Sequence, residues 1–183
     1  MSQEVDSLRA QVTQLQAEIG KLKDTQHKVK AYQACSWFND EQVKHMNDVY
    51  RETKKNKTVD WDRSFRPLDH QYNNMDVVSH PEVMEDVEWQ VQTFRGDVAG
   101  YSGAEVGIMA YDPKQDNNDV GVVYEIAGML TMGKPVVAVI PDDATTPLNL
   151  MPAIGLTDII HVSDLADYDF NNILQGTYHG KIY

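Results

Sequence analysis

Two short stretches of this chain are apolar at every position: Val106-Gly107-Ile108-Met109-Ala110-Tyr111 and Val136-Val137-Ala138-Val139-Ile140. A strand with one wet face alternates apolar and polar residues, whereas an unbroken apolar run needs cover on both faces. Both runs end in turn formers, Asp112-Pro113 and Pro141-Asp142-Asp143. Two more short strands are expected, over Val29 to Ala34 and Asp158 to Val162. Helical stretches separate them. One runs from Asp40 to about Lys55, with Asn39-Asp40 as cap candidates and a lysine-rich close. A second opens at Pro81-Glu82 and is expected to continue to about Ala99, since proline and acids suit a helix start. A third covers residues 121–133, and a short helix or turn follows from Ser163. Strands alternating with helices predict an α/β fold, a doubly wound, mostly parallel sheet flanked by helices.

In such sheets the ligand crevice lies beyond the carboxyl ends of the strands. Ser36-Trp37-Phe38-Asn39 follows the first strand, an acidic loop from Asp112 to Asp119 follows the second, and Pro147-Leu148-Asn149-Leu150-Met151 follows the third.

Residues 1–28 are of another kind. Val5, Leu8, Val12, Leu15, Ile19 and Leu22 are spaced 3, 4, 3, 4 and 3 apart. These are heptad positions, with β-branched residues at a and leucine at d, the pattern of a two-stranded parallel coiled coil. The alternative is a solitary solvated helix. The chain therefore divides into an N-terminal heptad extension, 1–28, and a domain, 29–183.

Composition narrows the function. A formal charge of −12 repels phosphate backbones, so no nucleic-acid partner is expected, though a small neutral ligand is not excluded. The single cysteine, Cys35, permits no intrachain disulfide and suits a reducing cytoplasm. It reads as a small buried apolar residue, with a nucleophile as the alternative. No apolar run approaches the roughly 20 residues that span a bilayer, and the first residues are too polar for a leader peptide. Phosphate-loop, dinucleotide-fingerprint and serine-elbow motifs are missing. The six histidines show no metal-ligand spacing.

Among 28 acidic residues, Glu125 stands out because Gly121-Val122-Val123-Tyr124 precedes it and Ile126-Ala127-Gly128-Met129-Leu130 follows it. An acid in that setting is a site residue, or it merely caps the helix or points outward. Placed in the first turn of a helix, it would be favoured in its ionised form by the helix dipole. Asp97 and Asp119 are less distinctive, and Asp119 also reads as an N-cap.

Several segments together resemble the nucleoside 2′-deoxyribosyltransferases, in particular the type that accepts both purines and pyrimidines. They are Tyr32-Gln33-Ala34-Cys35-Ser36-Trp37-Phe38, Pro67-Leu68-Asp69-His70-Gln71-Tyr72, Trp89 through Asp97, Asp119 through Glu125, Pro147 through Met151, and Lys181-Ile182-Tyr183. The resemblance spans about residues 29–183 and leaves the heptad extension out. It implies that 2-deoxyribose moves from one nucleobase to another, with 2′-deoxynucleosides and free purine or pyrimidine bases as partners and no cofactor or metal. It implies that Glu125 attacks C1′ of the sugar and that Asp97 and Asp119 handle the proton of the base. Gln71 would orient the base or a carboxylate beside it, and Trp37 and Phe38 would contact substrate. Tyr32 and Tyr183 would hold the Glu125 carboxylate, and Asn149 and Met151 would line the 5′ end of the sugar from a neighbouring subunit. A hexamer built from dimers, with shared active sites, is the implied assembly. Ala34-Cys35-Ser36 stands where family members often carry glycine, which implies a narrower pocket mouth.

The residue types suit that chemistry. Breaking an N-glycosidic bond builds positive charge at C1′, which a carboxylate first stabilises and then bonds to. The leaving base needs a proton from a neutral acid. One rival is a nucleoside or nucleotide N-glycosidase of related fold, in which water replaces the second base. Another is a non-catalytic nucleoside-binding scaffold with the coiled coil as its working part.

Overall fold

A computed structural model describes residues 5, 8, 11–16, 27–114 and 119–183. Four parallel strands form one sheet: β1 (Ala31–Ala34), β2 (Val106–Ala110), β3 (Val136–Ile140) and β4 (Asp158–His161), in that spatial order. Residues of β1, β2 and β3 are buried throughout, as the unbroken apolar character of β2 and β3 requires, and β1 buries the polar Gln33 as well. The first strand is shorter than the expected Val29 to Ala34. Val29 instead forms a lone bridge with Val59.

Four helices cover the sheet: α1 (Asp40–Lys55), α2 (Val87–Gly103), α3 (Val120–Thr131) and the short α4 (Leu150–Gly155). Asn39 caps α1 by accepting from the Gln42 amide, and Lys54 and Lys55 lie in its last turn. The long helix expected from Pro81 to about Ala99 is in fact two elements. Pro81–Glu85 is a 3-10 turn, and Asp86 then accepts from the amides of Glu88 and Trp89 and starts α2. The acid that looked like part of one helix is the cap of the next. A single 3-10 turn, Val162–Asp164, follows β4.

Winding on both faces follows from one detour. Between β1 and β2 the chain passes through α1 on one face, then runs alongside β1, then crosses to α2 on the other face. The strip beside β1 makes single parallel bridges, Val29 with Val59 and Tyr32 with Phe65. Amide hydrogen bonds from Phe65 to Ala31 and from Gln33 to Phe65 sew it down. Counting this strip as a rudimentary strand, the chain steps outward from β1 and then returns past it to β2. The reversal falls between β1 and β2, the position where open α/β sheets leave a crevice.

Two cores result, one per face. Val49, Ile108, Val137, Val139 and Leu165 pack on the α1 side, and Tyr32, Tyr101, Met109, Met129 and Val136 on the α2–α3 side. Cys35 lies in the first of these, 3% exposed. Its thiol, 3.1 Å from the Tyr50 hydroxyl, is pushed up to about 12 by burial, so it behaves as a buried small residue. Lys134 reaches the carbonyls of Tyr101, Ser102 and Ala104, neutralising the negative end of α2.

Among the described residues no helix is long and apolar enough to cross a membrane. Residues 5, 8 and 11–16 are helical. The rest of the expected heptad repeat, including Ile19 and Leu22, lies outside the described residues, as do residues 115–118 of the expected acidic loop.

Gly107 tests how tightly the second core is filled. A Cβ there would sit 2.9 Å from Met129 Sδ and 3.2 Å from a Val136 methyl. Gly107→Ala is expected to lower stability by ~1–3 kcal/mol, read as a reduced midpoint in urea denaturation.

Candidate active site

The site begins with a tyrosine that cannot move. Tyr32 on β1 has no exposed surface. The Phe65 ring stacks on it at 5.5 Å and 12°, and the Tyr101 ring meets it edge-on at 5.7 Å and 88°. Gly100 makes room for the stack, because a Cβ there would lie 2.7 Å from the Phe65 ring. The Tyr32 hydroxyl donates a 2.6 Å hydrogen bond to Oε1 of Glu125 on α3. Burial, the Glu125 charge and that bond hold the phenol protonated far above its ordinary range.

Glu125 is the sixth residue of α3, in its second turn rather than the first, because the helix starts at Val120 behind an Asp119 cap. The helix dipole is weaker there, and burial dominates. Glu125 is pushed up to about 8 by burial, with the Tyr32 bond pulling it down and the charges of Asp97 and Asp119 adding to the rise. The expected preference for the ionised form is therefore reversed. Asp97, in the middle of α2, is pushed up to about 6 by burial. Asp119 accepts from the Gly121 amide at 2.8 Å and from Ser36 Oγ at 3.3 Å, so its cap role is real.

Asp97 and Glu125 line one cavity of about 380 Å³ between α2 and α3. Its walls are apolar: Phe94, Val98, Tyr101, Val120 and Tyr124, with the Phe94 and Tyr124 rings 6.1 Å apart. A space of this kind, with two carboxyls on apolar walls, admits a flat, mostly neutral ligand. A second cavity of about 400 Å³ lies beyond β2 and β3. Its cations are already paired, Lys44 and Arg51 with Asp48, and Lys114 with Glu41. Neither Glu125 nor Asp97 reaches it.

The remaining expected site residues fall elsewhere within the single chain. Buried Gln71 accepts from the Val77 amide at 2.7 Å and pins the turn through Asn73 and Asn74, both at positive φ. Trp37 packs partly against the α1-side core, and Phe38 is 67% exposed beside it, 5.6 Å between rings. Asn149 caps α4 by accepting from the Met151 amide, and Met151 is 75% exposed. Tyr183 pairs through its backbone with Leu148 and Leu150 and is half exposed. Among the described residues no hydrogen bond joins it to Glu125. One hydrogen bond, one cavity and mutual charge thus join Tyr32, Asp97, Asp119 and Glu125, while among the described residues no hydrogen bond or shared cavity wall joins Gln71, Asn149, Met151, Trp37, Phe38 or Tyr183 to them.

Sequence reasoning gave no site role to Phe65, Phe94, Gly100 or Tyr101. Part of this was findable: Phe94, Asp97, Val98 and Tyr101 recur at spacings of three and four, the signature of one helix face. Phe65 carries no such signal, because a strip of single bridges has no periodicity.

Residues 31–168 match the sequence model of the family described as nucleoside 2-deoxyribosyltransferase. The chain is 36% identical over 154 residues to a nucleoside deoxyribosyltransferase of Lactobacillus leichmannii, covering 83% of this chain and 96% of that protein. It is 35% identical over 150 residues to one from Lactobacillus johnsonii, covering 81% and 99%. Among solved structures, a 2-deoxyribosyltransferase of Bacillus psychrosaccharolyticus superposes with a TM-score of 0.66 at 23% identity, over 81% of this chain and 98% of that one, a likeness of fold.

The raised Glu125 carboxyl has a stability consequence with a definite sign. In the unfolded chain it ionises near its ordinary 4.5, but in the folded protein only near 8. Destabilisation therefore builds as pH rises from about 4.5 and is complete above about 8. Glu125→Gln, whose amide oxygen still accepts from Tyr32, is expected to be more stable than the parent at pH 9 by on the order of 1–3 kcal/mol and about equal at pH 4. Thermal denaturation at both pH values measures it.

Proposed function

The chain belongs to the nucleoside 2-deoxyribosyltransferase family, and on that premise we propose that it transfers 2-deoxyribose between nucleobases by double displacement, through a deoxyribosyl ester of Glu125. The observation that carries this reading is one hydrogen bond in one cavity. Tyr32 holds Glu125 at 2.6 Å, and Asp97 lines the same apolar space.

A Glu125 carboxylate oxygen bonds to C1′ while the C1′–N bond breaks and its pair goes to the base nitrogen. Asp97 supplies the proton that makes the base a tolerable leaving group. The acceptor base then attacks C1′ through its nitrogen, gives its proton to Asp97, and frees Glu125 as carboxylate. Each displacement inverts C1′, so the product keeps the starting configuration. Asp119 is the second acid on the base side, and its charge beside Glu125 is one of those that keep a proton in the cavity.

The two raised carboxyls suit this cycle. With Asp97 near 6 and Glu125 near 8, the pair holds one proton across neutral pH. The reaction needs that inventory: one acid and one nucleophile. Bound substrate has only to favour the proton on the base side for the carboxylate to be released on the sugar side.

We further propose a homo-oligomer with shared active sites in a reducing cytoplasm, a hexamer built from dimers being the form that family resemblance implies. Exposed apolar side chains support it: Val120, Val123 and Tyr124 on α3, beside the cavity, and Leu150, Met151 and Ile154 on α4. Asn149, Met151 and Tyr183 would then meet a neighbour's site rather than their own.

Incubation with deoxyinosine and free cytosine is expected to yield deoxycytidine, resolved by chromatography. Glu125→Ala should lower that rate by about a thousandfold or more. Equal yields from the two proteins would overturn the role of Glu125, and release of free deoxyribose despite ample cytosine would replace transfer by hydrolysis. The profile of kcat/KM against pH should be bell-shaped, with limbs near 6 and 8. Tyr32→Phe removes the bond that lowers Glu125, so its alkaline limb should move to higher pH.

A further inference from the structure

Neither the fold nor the site absorbs the apolar stripe near the start of the chain. Val5, Leu8, Val12 and Leu15 lie at helical positions and are 46%, 56%, 52% and 56% exposed. The family match begins only at residue 31, so family membership does not explain them. The sequence carries the spacing on to Ile19 and Leu22. These two, and the charged residues used below, lie outside the described residues and enter as sequence.

We propose that this segment pairs with its counterpart in a second copy of the chain as a parallel two-stranded coiled coil, with orientation set by the charges that flank the stripe. Take Val5, Val12 and Ile19 as a positions and Leu8, Leu15 and Leu22 as d positions. The g positions are then Glu4, Gln11 and Glu18, and the e positions Arg9, Gln16 and Lys23. In a parallel pair each g residue faces the e residue of the other chain five places on. That sets Glu4 against Arg9, Gln11 against Gln16 and Glu18 against Lys23. Both charged pairs attract, and the middle pair is amide with amide. In an antiparallel pair g faces g and e faces e, so Glu4 meets Glu18 and Arg9 meets Lys23. Every charged pair then repels. The sequence therefore favours one orientation and penalises the other.

The exposed stripe alone would not say what covers it, but the charge register does. The pairing does not depend on the proposed reaction. Leu22 is seven residues from Val29, a span of at most about 25 Å. Two paired chains would therefore hold their domains at high local concentration.

A cysteine reporter tests this on the full chain. Cys35 is buried, with its thiol pushed up to about 12, and stays out of the chemistry. In Leu8→Cys a parallel pair places the two new thiols face to face, whereas an antiparallel pair places each opposite residue 19. Mild oxidation by a glutathione disulfide buffer is expected to link most chains in pairs on a non-reducing gel. Adding Glu4→Lys and Glu18→Lys should lower the yield by about tenfold or more. Co-expression with chains carrying Leu8→Cys, Arg9→Glu and Lys23→Glu should restore it, as mixed pairs. No cross-link in the parent reporter, a yield that charge reversal leaves unchanged, or a loss that the complementary chain does not restore would each overturn the proposal.

Discussion

A phenol on a strand and a carboxylate on a helix, 93 positions apart in sequence, share one hydrogen bond of 2.6 Å, and the site is organised around it. Neither partner is free to choose another geometry. The phenol is fixed between two rings, and the carboxylate is carried by a helix whose start is set by the Asp119 cap. Burial strengthens the bond, because little water competes for either oxygen. It also makes the charged carboxylate costly, and the single donor from Tyr32 offsets only part of that cost.

That imbalance gives the cavity its acid–base character. Glu125 and Asp97 sit on opposite walls of one apolar space, and both resist ionisation, by different amounts. Burial is the largest cause at Glu125 and the cause at Asp97, so the effect depends on how closely α2 packs against α3 and β1. Gly100 and Gly128 permit that approach, the first by leaving room for the Phe65 ring and the second by lying against Tyr101. A sheet that reverses between β1 and β2 then opens the cavity where its own topology leaves a gap.

Strands β2 and β3 were legible in the sequence because unbroken apolar runs between turn formers need cover on both faces, and helix α1 because its Asn39-Asp40 cap and lysine-rich close mark it. Glu125 was legible as an anomaly, an acid in an apolar setting, and Tyr32, Asp97 and Asp119 as its partners through family resemblance. What escaped reading depends on packing between distant segments. The break at Asp86 was hidden because Pro81-Glu82 is a valid start for a helical turn, and nothing local says the turn will stop. The reversed ionisation of Glu125 was hidden because local sequence reports the helix dipole but not the burial imposed by α2. The strip through Phe65, which covers β1 and stacks on Tyr32, was hidden because it makes only lone bridges.

That same strip bears on how copies of this chain can meet. An uncovered strand offers a row of unpaired amides and carbonyls to any passing chain. Here one margin of the sheet is occupied by the Val59-to-Phe65 strip, which leaves β4 as the outer strand among the described residues. β4 is four residues long, starts at Asp158, and turns at once into a 3-10 element after His161. A margin so short, with a charged residue at its start, is a poor template for strand addition. Backbone ladders between subunits are thereby discouraged, and association is left to side-chain surfaces. Those surfaces can be tuned one residue at a time without disturbing the sheet.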